Sequence, residues 1–324
     1  MPDLTFPLIQ EAAHGLKGVA HLTPVLTSRT LDGVSGATVF LKCENFQRIG
    51  AFKFRGAYHA VSHWVSTSPF RTFATVSSGN HAQGLALACQ RLGCLAHVVM
   101  PAGSSALKRE AVRSYGASLH DAEDRLQANR LLEELARRLS AVIVHPFNDP
   151  LVMAGQGTIM IELCEQVAEF DALLAPIGGG GLLAGLCVAA GTVRPALKLY
   201  ACEPAAALDA MESVRQNRIV PMSRSATIAD GLRTSLGDRT LPILRHRLAG
   251  FFVVEEEEIL RSMRFASEEL RMTIEPSSAV ALAPLLRQES QLVGKRVAVV
   301  LTGGNVDLSS FWEQTRGRIE DPPR

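Results

Sequence analysis

The alternation of strand-like and helix-like segments is the feature that most constrains the fold of this chain. From residue 72 onward, short apolar runs rich in β-branched residues are separated by segments in which apolar residues recur at helical spacing. Strands that alternate with helices in this way are typical of parallel sheets whose strands are connected by crossover helices. The pattern therefore predicts an α/β fold.

The alternation divides into two units. Strands of the first unit are predicted at Thr72–Val76, Leu95–Met100, Ala117–Leu119 and Val142–Val144, with helices near His81–Leu92, Ser105–Tyr115 and Asp124–Leu139. Strands of the second unit are predicted at Ala172–Ala175, Leu197–Cys202, Phe251–Val254 and Val297–Leu301, with helices near Gly181–Ala190, Ala205–Val214, Glu256–Leu270 and Ser277–Leu285. Upstream, a helix at Phe6–Lys17 and a strand at Thr38–Cys43 are predicted to join the second unit. We therefore predict a small domain of residues 71–147 and a discontinuous large domain of residues 1–70 and 148–324, each with a parallel-type sheet flanked by helices.

The composition narrows the class of partner. A chain of 324 residues is long enough for two domains that each bury a core. Its formal net charge of +1 argues against a general affinity for nucleic acid or acidic membranes, and no apolar run reaches the roughly 18 residues of a membrane span. The six cysteines are scattered without a CxxC pair, which favours buried thiols in a reducing compartment. We expect a soluble, cytoplasmic protein that acts on a small molecule.

Gly178–Gly181 form a run of four glycines between an apolar strand-like segment and a helix-like one. Glycine lets successive amides approach an anion closely, and a helix N-terminus adds partial positive charge. A flexible tight turn is the alternative, but four glycines raise the cost of ordering it. We therefore favour a phosphate site. The run is neither a Walker loop nor a dinucleotide fingerprint, because it lacks a following Gly-Lys-Ser/Thr and a ribose-binding acid.

Lys53 lies between Phe52 and Phe54 at the start of a helical pattern. Desolvation beside these rings would lower the pKa of its ammonium group towards the free amine that attacks carbonyl groups. Such a lysine suits Schiff-base chemistry, although a snorkelling surface lysine shows the same local pattern.

Two polar turns follow predicted strands: SSGNH at residues 77–81 and TGGN at residues 302–305. A strand, a glycine turn and a helix start present free backbone N–H groups, so the first turn is either an anion site or a plain helix N-cap. The second turn either contributes to a site or simply closes its strand. Ligands of open α/β sheets bind beyond the carboxyl ends of the strands, where both turns fall.

The chain resembles the fold-type II pyridoxal-phosphate enzymes, and within them the branch of threonine/serine dehydratases and serine racemase. The resemblance rests on QRIGAFKFRGA around Lys53, on SSGNH, on the tetraglycine turn and on TGGN, which occur in the family's order across nearly the whole chain. It implies the fold of the tryptophan synthase β-like group, pyridoxal 5′-phosphate as cofactor, and a homodimer.

The resemblance also implies a role for each matched residue. Lys53 would form the Schiff base with the cofactor and Phe52 would contact it. Further cofactor contacts would come from Gly178, Gly179, Gly180 and Gly181 to the phosphate, from Asn80 to the 3-hydroxyl and from Thr302, where close relatives usually carry serine, to the pyridine nitrogen. The substrate carboxylate would be bound by Ser77, Ser78, Asn80 and His81, with Ser78 as a second catalytic group facing the cofactor opposite Lys53. A hydroxyl partner leaves the pyridine nitrogen largely unprotonated, which favours elimination over reactions that need a long-lived carbanion.

Two weaker matches concern a metal ion and the substrate. Glu203, Ala207 and Asp209 match the positions at which this branch holds Mg²⁺ or Mn²⁺ through two carboxylates and a backbone carbonyl, a ligand set that suits a hard cation. Acids that merely begin a helix are the alternative reading. Arg125 matches loosely a position that reaches the distal polar or acidic group of a substrate, and a solvated helix residue is the alternative there.

These inferences predict a pyridoxal-phosphate-dependent L-threonine/L-serine ammonia-lyase, which forms a 2-oxo acid and ammonia by β-elimination. Three alternatives remain open. Serine racemisation would use Ser78 on the second face, 3-hydroxyaspartate ammonia-lyase activity would need Arg125 to point inward, and a non-catalytic cofactor-binding protein could share the fold. β-Replacement, as in cysteine synthase, is less consistent, because that branch reads Ser-x-Lys-Asp-Arg around its lysine whereas this chain reads AFKFR.

Overall fold

A computed structural model describes residues 3–104, 106–222 and 226–309. The strands are β1 (Val25–Leu26), β2 (Thr38–Cys43), β3 (Thr72–Val76), β4 (Leu95–Pro101), β5 (Ser118–Ala122), β6 (Val142–Ile143), β7 (Ala172–Pro176), β8 (Lys198–Pro204), β9 (Leu248–Val254) and β10 (Arg296–Leu301). The α-helices are α1 (Phe6–Leu16), α2 (Arg29–Ser35), α3 (Lys53–Thr67), α4 (Asn80–Arg91), α5 (Ala106–Ser114), α6 (Arg125–Leu139), α7 (Pro150–Gln166), α8 (Gly181–Val193), α9 (Asp209–Gln216), α10 (Thr240–Arg247), α11 (Glu256–Glu268), α12 (Pro276–Ala279) and α13 (Ala283–Leu286). Short 3-10 helices span Glu44–Phe46, Arg48–Gly50 and Asp230–Leu232.

The larger sheet has the strand order β1-β2-β10-β7-β8-β9. Strand β1 pairs antiparallel with β2 at the edge of the sheet, and the remaining neighbours are parallel. Every residue of β7 is buried, and β10 is buried after its first residue. Such continuous burial is expected where helices cover both faces of a parallel sheet.

The smaller sheet has the order β5-β4-β3-β6, and all its neighbours are parallel. Its strands all fall within residues 71–147, whereas the strands of the larger sheet come from the flanking parts of the chain. The α/β class with parallel sheets flanked by helices is thus confirmed. The domain boundaries themselves stay a prediction, and residues 310–324 of the predicted large domain lie outside the described residues.

The helix α7 has no counterpart among the sequence predictions. Asp149 caps it by accepting a hydrogen bond from the Leu151 amide at 2.9 Å, and Pro150 occupies its first turn, so both start signals are present in the sequence. The helix is buried on most of its surface and packs against α1, α3 and α8. An almost uniformly apolar helix lacks the periodic pattern by which an amphipathic one is recognised.

Several element boundaries differ from the predictions. The single helix predicted at Ser277–Leu285 is two short helices, α12 and α13, because Pro284 suits a first turn but not a helix interior. The helix predicted from Ala205 begins only at Asp209, where the Glu203 carboxylate accepts hydrogen bonds from the first amides. The strand predicted at Ala117–Leu119 begins one residue later and extends to Ala122, as β5. The predicted start of the α5 helix at Ser105 lies outside the described residues.

The remaining sequence expectations concern thiols and membranes. All six cysteines are free; four are buried and two, Cys94 and Cys164, are half-buried. Among the described residues, no helix combines the length and apolar character needed to cross a membrane.

Candidate active site

A cavity of about 450 Å³ lies between the two sheets. Its walls come from the segments that follow β3, β4, β7 and β10, so it sits beyond the carboxyl ends of strands from both sheets. The lining includes every cofactor- and substrate-binding residue predicted from the sequence: Phe52, Lys53, Ser77, Ser78, Asn80, His81, Arg125, Gly178, Gly179, Gly180, Gly181 and Thr302.

Lys53 is the first residue of α3 and is held at the end of β10 by backbone hydrogen bonds. The Phe52 amide donates to the Thr302 carbonyl at 3.0 Å, and Ala51 forms an antiparallel bridge with Gly303. Gly50 has a φ of 68°, and a Cβ there would lie 2.6 Å from the Asn305 side chain. A glycine is therefore required for the sharp turn that delivers the lysine to the cavity.

The Lys53 amine is desolvated. Its Nζ donates a hydrogen bond to the Pro146 carbonyl at 2.7 Å and lies 5.0 Å from the centroid of the Phe52 ring. Burial lowers the pKa of this ammonium to about 8, and the Glu275 carboxylate partly opposes the shift. The free amine is therefore far more abundant near neutral pH than in an ordinary lysine, and the free amine is the form that attacks an aldehyde.

The tetraglycine turn joins β7 to α8. Gly180 has a φ of 87°, and a Cβ on Gly179 would lie 2.3 Å from the Phe147 ring, so neither position accepts a side chain without rearrangement. Within the described part of the chain, the amides of Gly178, Gly179 and Gly180 donate no hydrogen bond. Free amides at the N-terminus of a helix form a binding site for a phosphate group.

Asn80 is the first residue of α4 and lines the cavity. Its Nδ2 donates to the Glu275 carboxylate at 2.8 and 3.1 Å, while its Oδ1 accepts from Asn305 Nδ2 at 2.9 Å. Burial, followed by the charge of Asp230, raises the pKa of the Glu275 carboxyl to about 7. The Glu275 carboxyl is therefore poised between its charged and neutral forms at neutral pH.

The turn at residues 77–81 forms one wall of the cavity. Ser77 Oγ accepts a hydrogen bond from the Gly79 amide at 3.3 Å, whereas the Ser78 side chain is exposed to the cavity. His81 Nε2 lies 3.1 Å from the Val144 carbonyl, and burial lowers the pKa of this imidazole to about 3. A neutral His81 therefore donates to Val144 and leaves Nδ1 as an acceptor, which has no partner among the described residues.

Arg125 begins α6 and lines the cavity with an exposed side chain.

The wall of the cavity also contains residues that no sequence motif indicated. Pro146 and Phe147 follow β6, so the rule that ligands lie beyond strand ends points to them in retrospect. Lys108 pairs with Asp230 at 2.5 Å across the cavity, and no local sequence pattern distinguishes it from other helix lysines.

The predicted metal ligands lie outside the cavity lining. Glu203 Oε1 and Oε2 accept hydrogen bonds from the Ala210 and Met211 amides at 2.7 and 2.9 Å, and Asp209 Oδ2 is buried without a partner among the described residues. Burial raises the pKa of Glu203 to about 8 and that of Asp209 to about 6. Within the described ranges no cluster of three or more His, Cys, Asp or Glu forms a metal site. Two desolvated carboxyls beside each other nevertheless suit a hard cation that is completed by a carbonyl and water.

The cavity meets the requirements of pyridoxal phosphate. A desolvated lysine amine can bond to an aldehyde, and unpaired amides at a helix N-terminus can bind a phosphate. The buried Thr302 side chain also lies in the wall, and a hydroxyl can form a hydrogen bond with a ring nitrogen.

Comparison with known proteins agrees with these requirements. The profile of the family described as pyridoxal-phosphate dependent enzyme matches residues 17–303. The serine racemase of Arabidopsis thaliana is 40% identical over 94% of this chain and 94% of its own, and the L-threo-3-hydroxyaspartate ammonia-lyase of Pseudomonas sp is 42% identical over 95% and 97%. The solved threonine deaminase of T.th. has a TM-score of 0.89 and 40% identity over 94% of this chain and 99% of its own. The chain therefore belongs to the pyridoxal-phosphate-dependent enzymes of fold type II, in the branch that contains threonine/serine dehydratases and serine racemases.

Proposed function

We propose that the enzyme is an ammonia-lyase that converts L-serine or L-threonine into a 2-oxo acid and ammonia by β-elimination. The observation that carries the proposal is the desolvated Lys53 amine, which lines the same cavity as the tetraglycine turn. Pyridoxal phosphate, when bound, supplies an electron sink that stabilises negative charge at the substrate α-carbon.

The residues around the cavity bind the substrate, transfer its α-proton and orient the cofactor. The turn at residues 77–81 binds the substrate carboxylate through its amides and hydroxyls, which fixes the direction of the α-carbon–hydrogen bond. Lys53 Nζ removes the α-proton, because its lowered pKa leaves the amine available as a general base. Loss of the β-hydroxyl with a proton releases water, and hydrolysis of the nitrogen-bearing product consumes one water and releases ammonia. Gly178–Gly181 hold the phosphate, while Asn80 and Thr302 orient the ring.

A substrate panel tests this function. Purified protein loaded with pyridoxal phosphate is incubated with L-serine, L-threonine or L-threo-3-hydroxyaspartate, and the release of 2-oxo acid and ammonia is measured. Turnover of L-serine or L-threonine that disappears in Lys53→Ala supports the proposal. Covalent capture of the cofactor without turnover of any of the three would instead identify a non-catalytic binding protein.

L-threo-3-hydroxyaspartate is the second candidate substrate, because Arg125 lines the cavity with an exposed guanidinium. A guanidinium binds a carboxylate through two parallel hydrogen bonds and would recognise the distal carboxylate of this diacid. Arg125→Gln should then raise KM for hydroxyaspartate and leave KM for L-serine nearly unchanged. Arg130→Gln, on the exposed surface of the same helix, is the matched control. Equal effects of Arg125→Gln on both substrates would exclude distal recognition.

Two features of assembly and ligation complete the proposal. A Mg²⁺ or Mn²⁺ ion is held by Glu203 and Asp209 together with the Ala207 carbonyl, and the support for it is the pair of desolvated carboxyls. A homodimer is our expectation from the resemblance, and a cytoplasmic location is our expectation from the scattered cysteines without a CxxC pair. Sedimentation of the purified protein tests the homodimer, and fractionation of the source cells tests the cytoplasmic location.

A further inference from the structure

A buried ion-pair cluster lies directly behind Lys53. Arg55, in the first turn of α3, has a fully buried guanidinium. Its Nε donates to Glu44 Oε2 and its Nη2 to Glu44 Oε1, each at 2.8 Å. Two parallel bonds between a planar fork and a carboxylate fix both the distance and the orientation of the arginine.

The same guanidinium contacts a second carboxylate on a different element. Its Nη1 donates to Glu162 Oε1 at 2.6 Å and its Nη2 to Glu162 Oε2 at 2.8 Å, so Arg55 ties α3 to α7. Lys42, on β2, donates to the same Glu162 carboxylate at 2.7 Å. The cluster therefore joins four segments of the chain and contains two positive and two negative charges.

Close glycine contacts continue this connection towards the phosphate end of the cavity. A Cβ on Gly155 of α7 would lie 2.5 Å from the Gly56 Cα atom of α3, and a Cβ on Gly185 of α8 would lie 2.3 Å from the Met153 carbonyl of α7. Helices α3, α7 and α8 thus pack at backbone distance. Helix α7 acts as the spacer between the helix that carries Lys53 and the helix that follows the tetraglycine turn.

Stability alone does not explain such a cluster. Removing four charged groups from water is costly, and apolar residues of similar volume often give equal or greater stability. A planar fork that must satisfy two carboxylates specifies geometry, and lysine does not reproduce it. Because Lys53 lies two residues before Arg55 on α3, the same contacts hold the start of that helix against α7.

We propose that Arg55 is a positioning residue that sets the place of Lys53 relative to the phosphate-binding turn. The inference rests on the proposed role of Lys53 as the residue that bonds to pyridoxal phosphate. Burial lowers the pKa of Lys53 and the Glu275 carboxylate opposes that shift, whereas the charges of the cluster cancel. Arg55 accordingly acts on Lys53 through position.

The test compares two variants at temperatures well below their melting points. Arg55→Lys keeps the charge and loses the fork. The charge-balanced pair Arg55→Met with Glu44→Gln removes one positive and one negative charge, and with them both ion pairs of Arg55. We expect both to bind pyridoxal phosphate at least tenfold more weakly and to have lower kcat at nearly unchanged substrate KM. Borohydride trapping followed by peptide mapping should recover less cofactor on Lys53.

Arg296→Lys is the matched control. Arg296 pairs with Asp171 at 3.0 Å and with Glu169 at the opposite end of β10, so it is also an arginine held by two carboxylates. This control should keep the cofactor affinity of the wild type, whatever it does to the melting temperature. Folded Arg55→Lys with wild-type affinity, trapping and kcat would overturn the inference.

Two outcomes remain to be separated. If neither Arg55 variant folds, Glu162→Gln is the deciding variant. The Glu162 carboxylate is partly exposed, and its loss weakens the contacts of the Arg55 guanidinium without removing them. Unchanged cofactor affinity in Glu162→Gln would also overturn the inference. Wild-type protein that forms no covalent bond with pyridoxal phosphate would refute the proposed function itself. Wild-type capture with unaffected variants refutes only the role of Arg55.

Discussion

Asn80 and Glu275 are separated by 195 residues in the chain, yet their side chains share hydrogen bonds of 2.8 and 3.1 Å. Asn80 begins the helix after β3 of the smaller sheet, whereas Glu275 precedes α12 and its amide bonds to Gly303 beside β10 of the larger sheet. The pair therefore bridges the two sheets at the floor of the cavity. It also fixes the direction in which the Asn80 amide faces, since Asn305 takes up its oxygen.

The lowered pKa of Lys53 predicts how the cofactor-free protein captures pyridoxal phosphate. The free amine is the reactive form, so the rate of capture should rise about tenfold per pH unit below 8 and level off above it. An ordinary lysine, with a pKa near 10.4, would keep gaining rate to about pH 10. Stopped-flow absorbance from pH 6 to 10, with a lysine-containing peptide as the comparison, measures the two profiles. Identical profiles would contradict the desolvated amine.

The exposed Ser78 hydroxyl predicts a separation of racemisation from elimination. Ser78→Ala should lower the conversion of L-serine to D-serine by about a hundredfold or more, because a proton donor on the second face is lost. Elimination, which needs only Lys53 as base, should change much less. Chiral chromatography and 2-oxo acid release measure the two reactions in the same sample. Racemisation that survives the substitution would refute the role of Ser78.

Packing around the tetraglycine turn predicts that Gly179→Ala lowers both the stability of the protein and its affinity for pyridoxal phosphate. The new Cβ would overlap the Phe147 ring, so the free energy of unfolding should fall by about 1–3 kcal/mol. Displacement of the turn should also weaken the affinity for pyridoxal phosphate. Gly191→Ala, near the other end of α8, meets only ordinary contacts and should be neutral or slightly stabilising. Urea unfolding and cofactor titration of both variants check the difference.

The two desolvated carboxyls predict a response to divalent cations. Mg²⁺ at 100 times its dissociation constant should add about 2.7 kcal/mol to the free energy of unfolding, and a chelator should remove that gain. Asp209→Asn should abolish the response, because Oδ2 of Asp209 is the buried oxygen without a described partner. Glu212→Gln, which changes a half-buried acid paired with Arg215 on the same helix, should leave it intact. Melting curves with and without the ion decide, and an unresponsive wild type would argue against the site.

The sequence determined the local elements of this protein. Short apolar runs located the strands of both sheets to within a few residues, since a strand that is covered on both faces must be apolar along most of its length. Glycine and polar turns at strand ends predicted a role for the turn at residues 77–81 and for Gly178–Gly181, because close approach to an anion restricts the residue types allowed there, and flanking aromatic residues predicted one for Lys53. All of these residues line one cavity.

Only the tertiary structure decided which distant groups meet. The buried helix α7 lacks an amphipathic period, and the partners of Lys53 and Asn80, namely the Pro146 carbonyl and Glu275, lie far from them in the chain. Lys108 reaches Asp230 across the cavity, and Glu162 reaches Arg55, without any local signal that pairs them. Such contacts depend on strand order and helix packing. These bring together segments that are distant in the chain and have no local sequence pattern indicating which segment each will contact.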